Sequence, residues 1–139
     1  MNSLQRALVA TVAAVLAIVG SAGAGMARGY ALPMPARSYG GNWPVTVTGS
    51  HGFTGCLELT GSGSASVTIG GQKYTGGSYF VANDLLVATI SVEGYGQNAG
   101  MVFIGRADRD KIGKGAYDEV YGGAPFVIGA LEFGMKNGC

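Results

Sequence analysis

From Trp43 onward, apolar and polar positions alternate in short runs, and turn residues separate the runs. Residues 45–48 alternate an apolar residue with a β-branched polar one, and residues 65–69 repeat that pattern. A period of two places alternate side chains on opposite faces, so each run predicts a half-buried β-strand. Residues 85–93 form the longest such run, whereas residues 101–104 are apolar throughout, as is typical of a central strand.

The spacing of these runs predicts one all-β domain over residues 41–139. No window after the N-terminal segment repeats at the helical period of 3.6, and about eight short strands follow one another at intervals of roughly 8–12 residues. Asn83-Asp84 predicts a hairpin turn, because both residues tolerate positive φ. We expect residues 70–77 to form a connection with room for a short extra strand, and residues 106–114 to form a charged loop. Short connections favour an up-and-down antiparallel barrel, with a β-sandwich as the second choice.

The first residues have the organisation of a secretory signal peptide. Arg6 precedes an apolar run over residues 7–19, and Ala22-Gly23-Ala24 follows as an A-x-A cleavage site. We expect a signal peptide over residues 1–24, with cleavage after residue 27 as the alternative, and a flexible lead-in over residues 25–40. The other interpretation is a retained membrane anchor. Cleavage would place the protein in the periplasm or the medium, without membrane contact.

Export changes what is expected of the two cysteines. Oxidising compartments favour disulfides, and Cys56 and Cys139 allow one intramolecular pairing. That disulfide would close a loop of about 80 residues and stabilise a small domain by roughly 4 kcal/mol. The alternatives are two free thiols, or a Cys139 that pairs between chains.

Composition excludes several functional classes. Charged residues make up 12% of the chain, which is about half the usual share. The net charge is +1 and becomes zero when Arg6 is removed, so neither a nucleic-acid surface nor an acidic tail is expected. His51 is the single histidine, and together with the two cysteines it provides too few ligands for a zinc site built from His and Cys alone.

The motifs that suggest chemistry are all incomplete. Residues 94–99 match G-x-G-x-x-A, but a strand follows where dinucleotide binding needs a helix. Residues 108–119 resemble a calcium loop, yet Ile112 occupies a position that needs an oxygen ligand. Asp118 and Glu119 are adjacent on a strand, so they face opposite ways and cannot form an acid–base pair. No G-x-S-x-G motif is present, so the sequence offers no serine nucleophile of that type. Because the other motifs are incomplete as well, we expect no catalytic residues, no cofactor and no metal.

Tyrosines are the candidate contact residues. A ring that carries a hydroxyl suits binding surfaces and stacks on sugars or apolar ligands, although such rings are also common in ordinary strands. The candidates for contact with a ligand or a partner are Tyr74, Tyr95, Tyr117 and Tyr121.

Gly41-Asn42-Trp43 resembles the G-x-W that opens the first strand in the calycin group, which holds the lipocalins, fatty-acid-binding proteins and avidins. The resemblance implies that Trp43 closes one barrel end beneath a cation near the last strand. Lys136 is the late cation available, so Trp43 and Lys136 are assigned structural roles. Trp43 also has the parity of Val45 and Val47, which places it on their inward face. The ligand residues of avidins have no match here, so biotin binding is not expected.

Two further resemblances concern function. Residues 71–74 resemble the loop that small periplasmic lysozyme inhibitors insert into their target. Residues 97–104 and 129–139 are similar to uncharacterised secreted bacterial proteins with a C-terminal cysteine, which implies export and no activity.

The expected function is therefore non-catalytic binding of a small apolar ligand or a glycan. The alternative is a protein-directed inhibitor or a surface interaction module. An enzyme is the third class, and it would need His51 beside a carboxylate and a hydroxyl.

Overall fold

The computed structural model describes residues 39–93 and 99–139, apart from the side chains of residues 126 and 127. These residues form one closed antiparallel barrel, in which each strand pairs with the next along the chain and the last strand returns to the first. The strands are β1 (Gly41–Thr48), β2 (Phe53–Leu59), β3 (Ser64–Ile69), β4 (Gln72–Ala82), β5 (Leu85–Ser91), β6 (Gly100–Asp108), β7 (Lys111–Tyr121) and β8 (Ala124–Phe133).

The predicted all-β fold is confirmed, and the up-and-down barrel is the architecture found. The predicted turn at Asn83-Asp84 is also present, with φ values of 52° and 61°. Within the described residues, no helix is long and apolar enough to cross a membrane.

Two predicted connections are strand instead. The β3–β4 turn consists of Gly70 and Gly71 alone, so most of residues 70–77 belongs to β4. The expected charged loop at 106–114 is a hairpin, and its turn contains Arg109 at a positive φ of 58°. Ala107 and Ile112 are buried partners across this hairpin, while the charged side chains around them are exposed. The many charged residues in this segment lie on the outer face of two strands, so their density did not indicate a loop.

The barrel interior is filled by side chains from every strand. Trp43, Val45 and Val47 of β1 are buried, as their shared parity predicted, and Leu57 and Leu59 continue the same core on β2. Tyr39 also belongs to the core, with 1% of its surface exposed. The end of the predicted flexible lead-in is therefore part of the folded domain, because its aromatic ring is buried with the barrel residues.

One end of the barrel is sealed around Trp43. Its indole Nε1–H donates a hydrogen bond of 2.9 Å to the Tyr39 carbonyl. Lys136 lines the same cavity as Trp43, and a Cβ on Gly41 would lie 2.9 Å from Lys136 Cε. The Gly134 N–H donates to the Pro44 carbonyl at 2.7 Å, so the segment after β8 lies against β1.

The predicted disulfide between Cys56 and Cys139 is confirmed. It joins β2 to the segment after β8 across 83 residues of sequence, with the two Cα atoms 6.0 Å apart. Asn42 and Asn137 connect the same two parts of the chain: the Asn42 N–H donates to Asn137 Oδ1 at 3.1 Å, and the Asn137 N–H donates to the Asn42 carbonyl.

Candidate functional site

The barrel end opposite Trp43 opens into a small cavity, which we call the barrel mouth. In an up-and-down barrel the turns after β1, β3 and β7 lie at one end, so side chains beside those turns converge. The cavity has a volume of ≈180 Å³. Its lining residues are Phe53, Ile69, Tyr74, Val92, Gly100, Met101, Tyr117, Glu119 and Tyr121.

Three of the four tyrosines singled out in the sequence meet at the barrel mouth. Tyr74 reaches it from β4, and Tyr117 and Tyr121 reach it from β7. Tyr95 lies outside the described residues. Strand parity places Tyr117 and Tyr121 on one inward face, but nothing in the sequence indicated that β4 would bring Tyr74 to them.

Tyr117 forms the floor of the barrel mouth. Only 1% of its surface is exposed. Its ring packs edge-on against Phe53, with centroids 5.0 Å apart and planes at 82°, and lies 5.1 Å from the Phe103 ring. Contacts of this kind favour a fixed ring orientation. The interior below the mouth is therefore closed by packed aromatic side chains.

Glu119 is the acidic group of the barrel mouth. Tyr117 Oη–H donates to Glu119 Oε1 at 2.8 Å, and Tyr121 Oη–H donates to Oε2 at 3.4 Å. In the sequence, Glu119 stands out only within a defective calcium loop and beside Asp118, and neither pattern predicts this role. The available signal was the parity of 117, 119 and 121, which puts one carboxylate between two tyrosines on the inward face.

The Tyr117 hydroxyl remains a proton donor across the physiological pH range. Burial raises the pKa of Tyr117 well above its usual range, and the hydrogen bond to the Glu119 carboxylate raises it further. A neutral phenol therefore holds the carboxylate in place, and the charge of the barrel mouth resides on Glu119.

Asp118 faces the opposite way, as adjacent strand positions require. Its cross-strand partners are Val102 and Ile128, and its exposure is 1%. Burial raises the pKa of Asp118 to about 6, although a hydrogen bond from the Glu119 backbone N–H lowers it and the charge of Glu119 raises it by smaller amounts. The two acids thus have separate surroundings and cannot share a proton.

Two wider grooves flank the sealed end of the barrel. One, of ≈570 Å³, lies beside Tyr39 and the β4–β5 and β6–β7 turns, where Arg106 and Arg109 accompany Asp84 and Asp108. The other, of ≈600 Å³, lies between Trp43 and residues 133–136. Both are bordered by charges of each sign, and core residues such as Tyr39 and Trp43 line them. Neither brings together the tyrosines that the sequence singled out.

The third hypothesis needs His51 beside a carboxylate and a hydroxyl. His51 is exposed in the β1–β2 turn and lines none of the three cavities described above. Across 39–93 and 99–139, no group of three or more His, Cys, Asp or Glu side chains is placed to hold a metal ion. Glu119 has two hydroxyl donors but no imidazole beside it among the residues that line the barrel mouth.

Comparison of the chain with protein-family models, curated proteins and solved structures found no match.

Proposed function

We propose that this chain is an exported, non-catalytic binding module whose barrel mouth holds one ring-sized apolar group or sugar unit. The observation that carries the proposal is the convergence of aromatic side chains from three strands around an open cavity of ≈180 Å³. Phe53, Tyr74, Tyr117 and Tyr121 provide the rings, and Glu119 is the single charged group among the described residues that line the cavity.

The size of the cavity limits the ligand. Pockets for drug-sized ligands have volumes of roughly 300–1,000 Å³, and the barrel mouth is smaller than that range. Packing of Tyr117 against Phe53 and Phe103 closes the interior beneath it, so a long acyl chain has no path inward. A single ring, or one sugar unit lying on a tyrosine face, fits the dimensions and the chemistry of the lining.

The disulfide supports the exported part of the proposal. A bond between Cys56 and Cys139 is compatible with an oxidising compartment, where such bonds persist. The N-terminal sequence gives the same expectation independently, because a charged start, an apolar run and a small-residue cleavage site lead to export.

Chemical-shift mapping by NMR tests the proposed site. The oxidised protein, exported by its own N-terminal segment, is titrated separately with benzyl alcohol and with methyl β-D-glucoside. We expect one of the two probes to move the resonances of Tyr74, Met101 and Tyr121 at millimolar concentration. No movement with either probe, or movement confined to residues 133–136 at the sealed end, would contradict the proposal.

A matched pair of substitutions on β4 locates the site further. Tyr74→Ala removes a ring from the barrel mouth and should weaken probe binding by about tenfold, since stacking on one ring contributes roughly 1–1.5 kcal/mol. Gln72→Ala, at the exposed start of the same strand, should leave the affinity unchanged. Equal affinities for the two variants, with melting curves like that of the wild type, would exclude the barrel mouth.

A further inference from the structure

We infer that the barrel mouth selects an organic cation, a compact ammonium or methylated ammonium group, which lies between the Glu119 carboxylate and the surrounding aromatic rings. The inference rests on the proposed function, because it names the class of ligand that the same cavity takes. It goes beyond a general apolar site by assigning a role to the one charge among the lining residues.

The hydrogen-bond donors to Glu119 do not neutralise its charge. Its two hydrogen-bond donors are hydroxyls, and the Tyr117 hydroxyl stays neutral, so they orient the carboxylate without cancelling its charge. Within the part of the chain that the structure describes, the ion pairs join Lys73 to Glu58 at 3.1 Å and Lys114 to Glu132 at 3.0 Å. Neither involves Glu119. The half-buried carboxylate lines the cavity, so a bound cation would pair with it directly.

The wall of the barrel mouth is rich in aromatic rings. Phe53, Tyr74, Tyr117 and Tyr121 all line the cavity that contains the carboxylate. The faces of such rings carry negative charge density, so they attract a cation within about 6 Å of the ring centre. Rings around an ammonium group are a general means of recognising quaternary and methylated ammonium ligands. The carboxylate and the rings therefore favour the same ligand.

Other ligand classes fit these residues less well. Calcium needs six or more oxygen ligands, whereas the lining contains one carboxylate and hydroxyls that already donate to it. An anion would be repelled by Glu119. A neutral ring would use the aromatic wall but would leave the carboxylate without a counterion.

The test compares three probes that share one ring. Benzylamine, benzyl alcohol and benzoate present a cation, a neutral hydroxyl and an anion on nearly the same skeleton. We expect the oxidised wild-type protein to bind benzylamine about tenfold more tightly than benzyl alcohol, and benzoate most weakly, from combined charge-assisted and cation–π contacts. Raising the ionic strength should weaken binding of benzylamine and leave that of benzyl alcohol unchanged. Equal affinities for the amine and the alcohol, without salt dependence, would overturn the inference.

Substitution of the carboxylate gives an independent readout. Glu119→Gln keeps the size and the hydrogen-bonding capacity of the side chain and removes its charge, so the affinity for benzylamine should fall to that for benzyl alcohol. Glu132→Gln, which removes an exposed carboxylate paired with Lys114 on β8, is the control and should change neither affinity. Retained preference for the amine in Glu119→Gln would contradict the inference. If that variant does not fold, the salt dependence of the wild type decides the question.

The outcomes distinguish failure of the inference from failure of the proposed function. Binding of benzyl alcohol at the barrel mouth without preference for the amine would refute the inferred preference for a cation and would leave the proposed binding function intact. Absence of binding by all three probes would refute both. Two further probes separate the sources of an ammonium group. Tighter binding of choline than of N-acetyl-lysine methylamide would indicate a small methylated cation, and the reverse order would indicate a lysine side chain of a protein. Either order supports the cation, whereas weaker binding of both than of benzyl alcohol would count against it.

Discussion

The Trp43 indole stabilises the sealed end of the barrel through its ring and through its N–H. The ring is 2% exposed, and the N–H donates to the Tyr39 carbonyl. We expect Trp43→Ala to lower the free energy of unfolding by ~3–5 kcal/mol, as for other large aromatic side chains in a core. Trp43→Phe keeps most of the ring but removes the donor, and it should cost about 1–3 kcal/mol. Urea denaturation followed by circular dichroism measures both, and an unchanged free energy of unfolding in Trp43→Phe would contradict a role for the N–H.

Asp118 makes the stability of the protein depend on pH in a defined direction. Its pKa is raised to about 6 by burial, compared with about 4 in an unfolded chain. The folded state therefore binds more protons between these two values, so the contribution of Asp118 to stability is full below pH ~4 and is lost as the pH rises through ~6. The difference between these two pKa values corresponds to a loss of roughly 3 kcal/mol in the free energy of unfolding.

Asp118→Asn provides the check, because an amide imitates the protonated carboxyl at every pH. The variant should be more stable than the wild type at pH ~7.5, and the gain should disappear by pH ~4. Subtracting the free energy of unfolding of the wild type from that of the variant at each pH cancels the contributions of the other carboxyls, because these titrate in both proteins. A constant difference across this range would show that Asp118 does not change its protonation on unfolding.

The sequence alone could identify single residues but not their convergence. Trp43 was placed in the core by its parity with Val45 and Val47, and the disulfide followed from a count of two cysteines. The barrel mouth could not be derived in the same way, because closure of the barrel brings β2, β4 and β7 together from distant parts of the chain. Glu119 was within reach of sequence reasoning, since positions 117, 119 and 121 share one face.

At the scale of the elements, the hairpins were harder to predict than the strands they join. Apolar alternation located the strands, but glycine and charge were both interpreted as signs of loops. In β4 and β7 these residues lie inside strands, where β-bulges shift the register. The register of β4 against β3 shifts between Ala65 and Val67, and that of β7 against β6 shifts between Gly105 and Arg106. A bulge inserts residues without ending the strand, so the alternation resumes after it.

Gly115 beside one of these bulges is required by close contact between backbones. A Cβ at Gly115 would lie 1.8 Å from the Ile104 carbonyl oxygen, and a Cβ at Gly113 would meet Arg106 at an ordinary 3.6 Å. Gly115→Ala should therefore lower the free energy of unfolding by roughly 3 kcal/mol, the upper end for overpacked sites. Gly113→Ala, in the same strand, should change it by less than about 1 kcal/mol. Thermal melts of both variants make the comparison, and similar losses would refute the steric explanation.

At the scale of the whole molecule, the disulfide limits the unfolded chain. Replacing both Cys56 and Cys139 by Ser releases a loop of 83 residues and should cost roughly 4 kcal/mol. For a domain of this size that corresponds to a fall in Tm of roughly 15–30 °C. The dependence of the unfolding free energy on urea concentration should also become steeper, because the unfolded chain then exposes more surface. Wild-type protein with a reductant should match the double variant, and an unchanged slope with unchanged stability would contradict this account.

The junction between the first and last strands has a consequence for association between molecules. β8 pairs with β1 only over Val45–Thr48, and the rest of β1 is covered by the segment that the disulfide fixes in place. Releasing that segment would uncover the backbone N–H and C=O of Asn42 and the C=O of Pro44. An uncovered strand edge is a template for another chain. Reduction would thus convert a barrel whose strands are all paired into a molecule that can add strands from its neighbours, and the early product of reductive damage would be an intermolecular β-sheet.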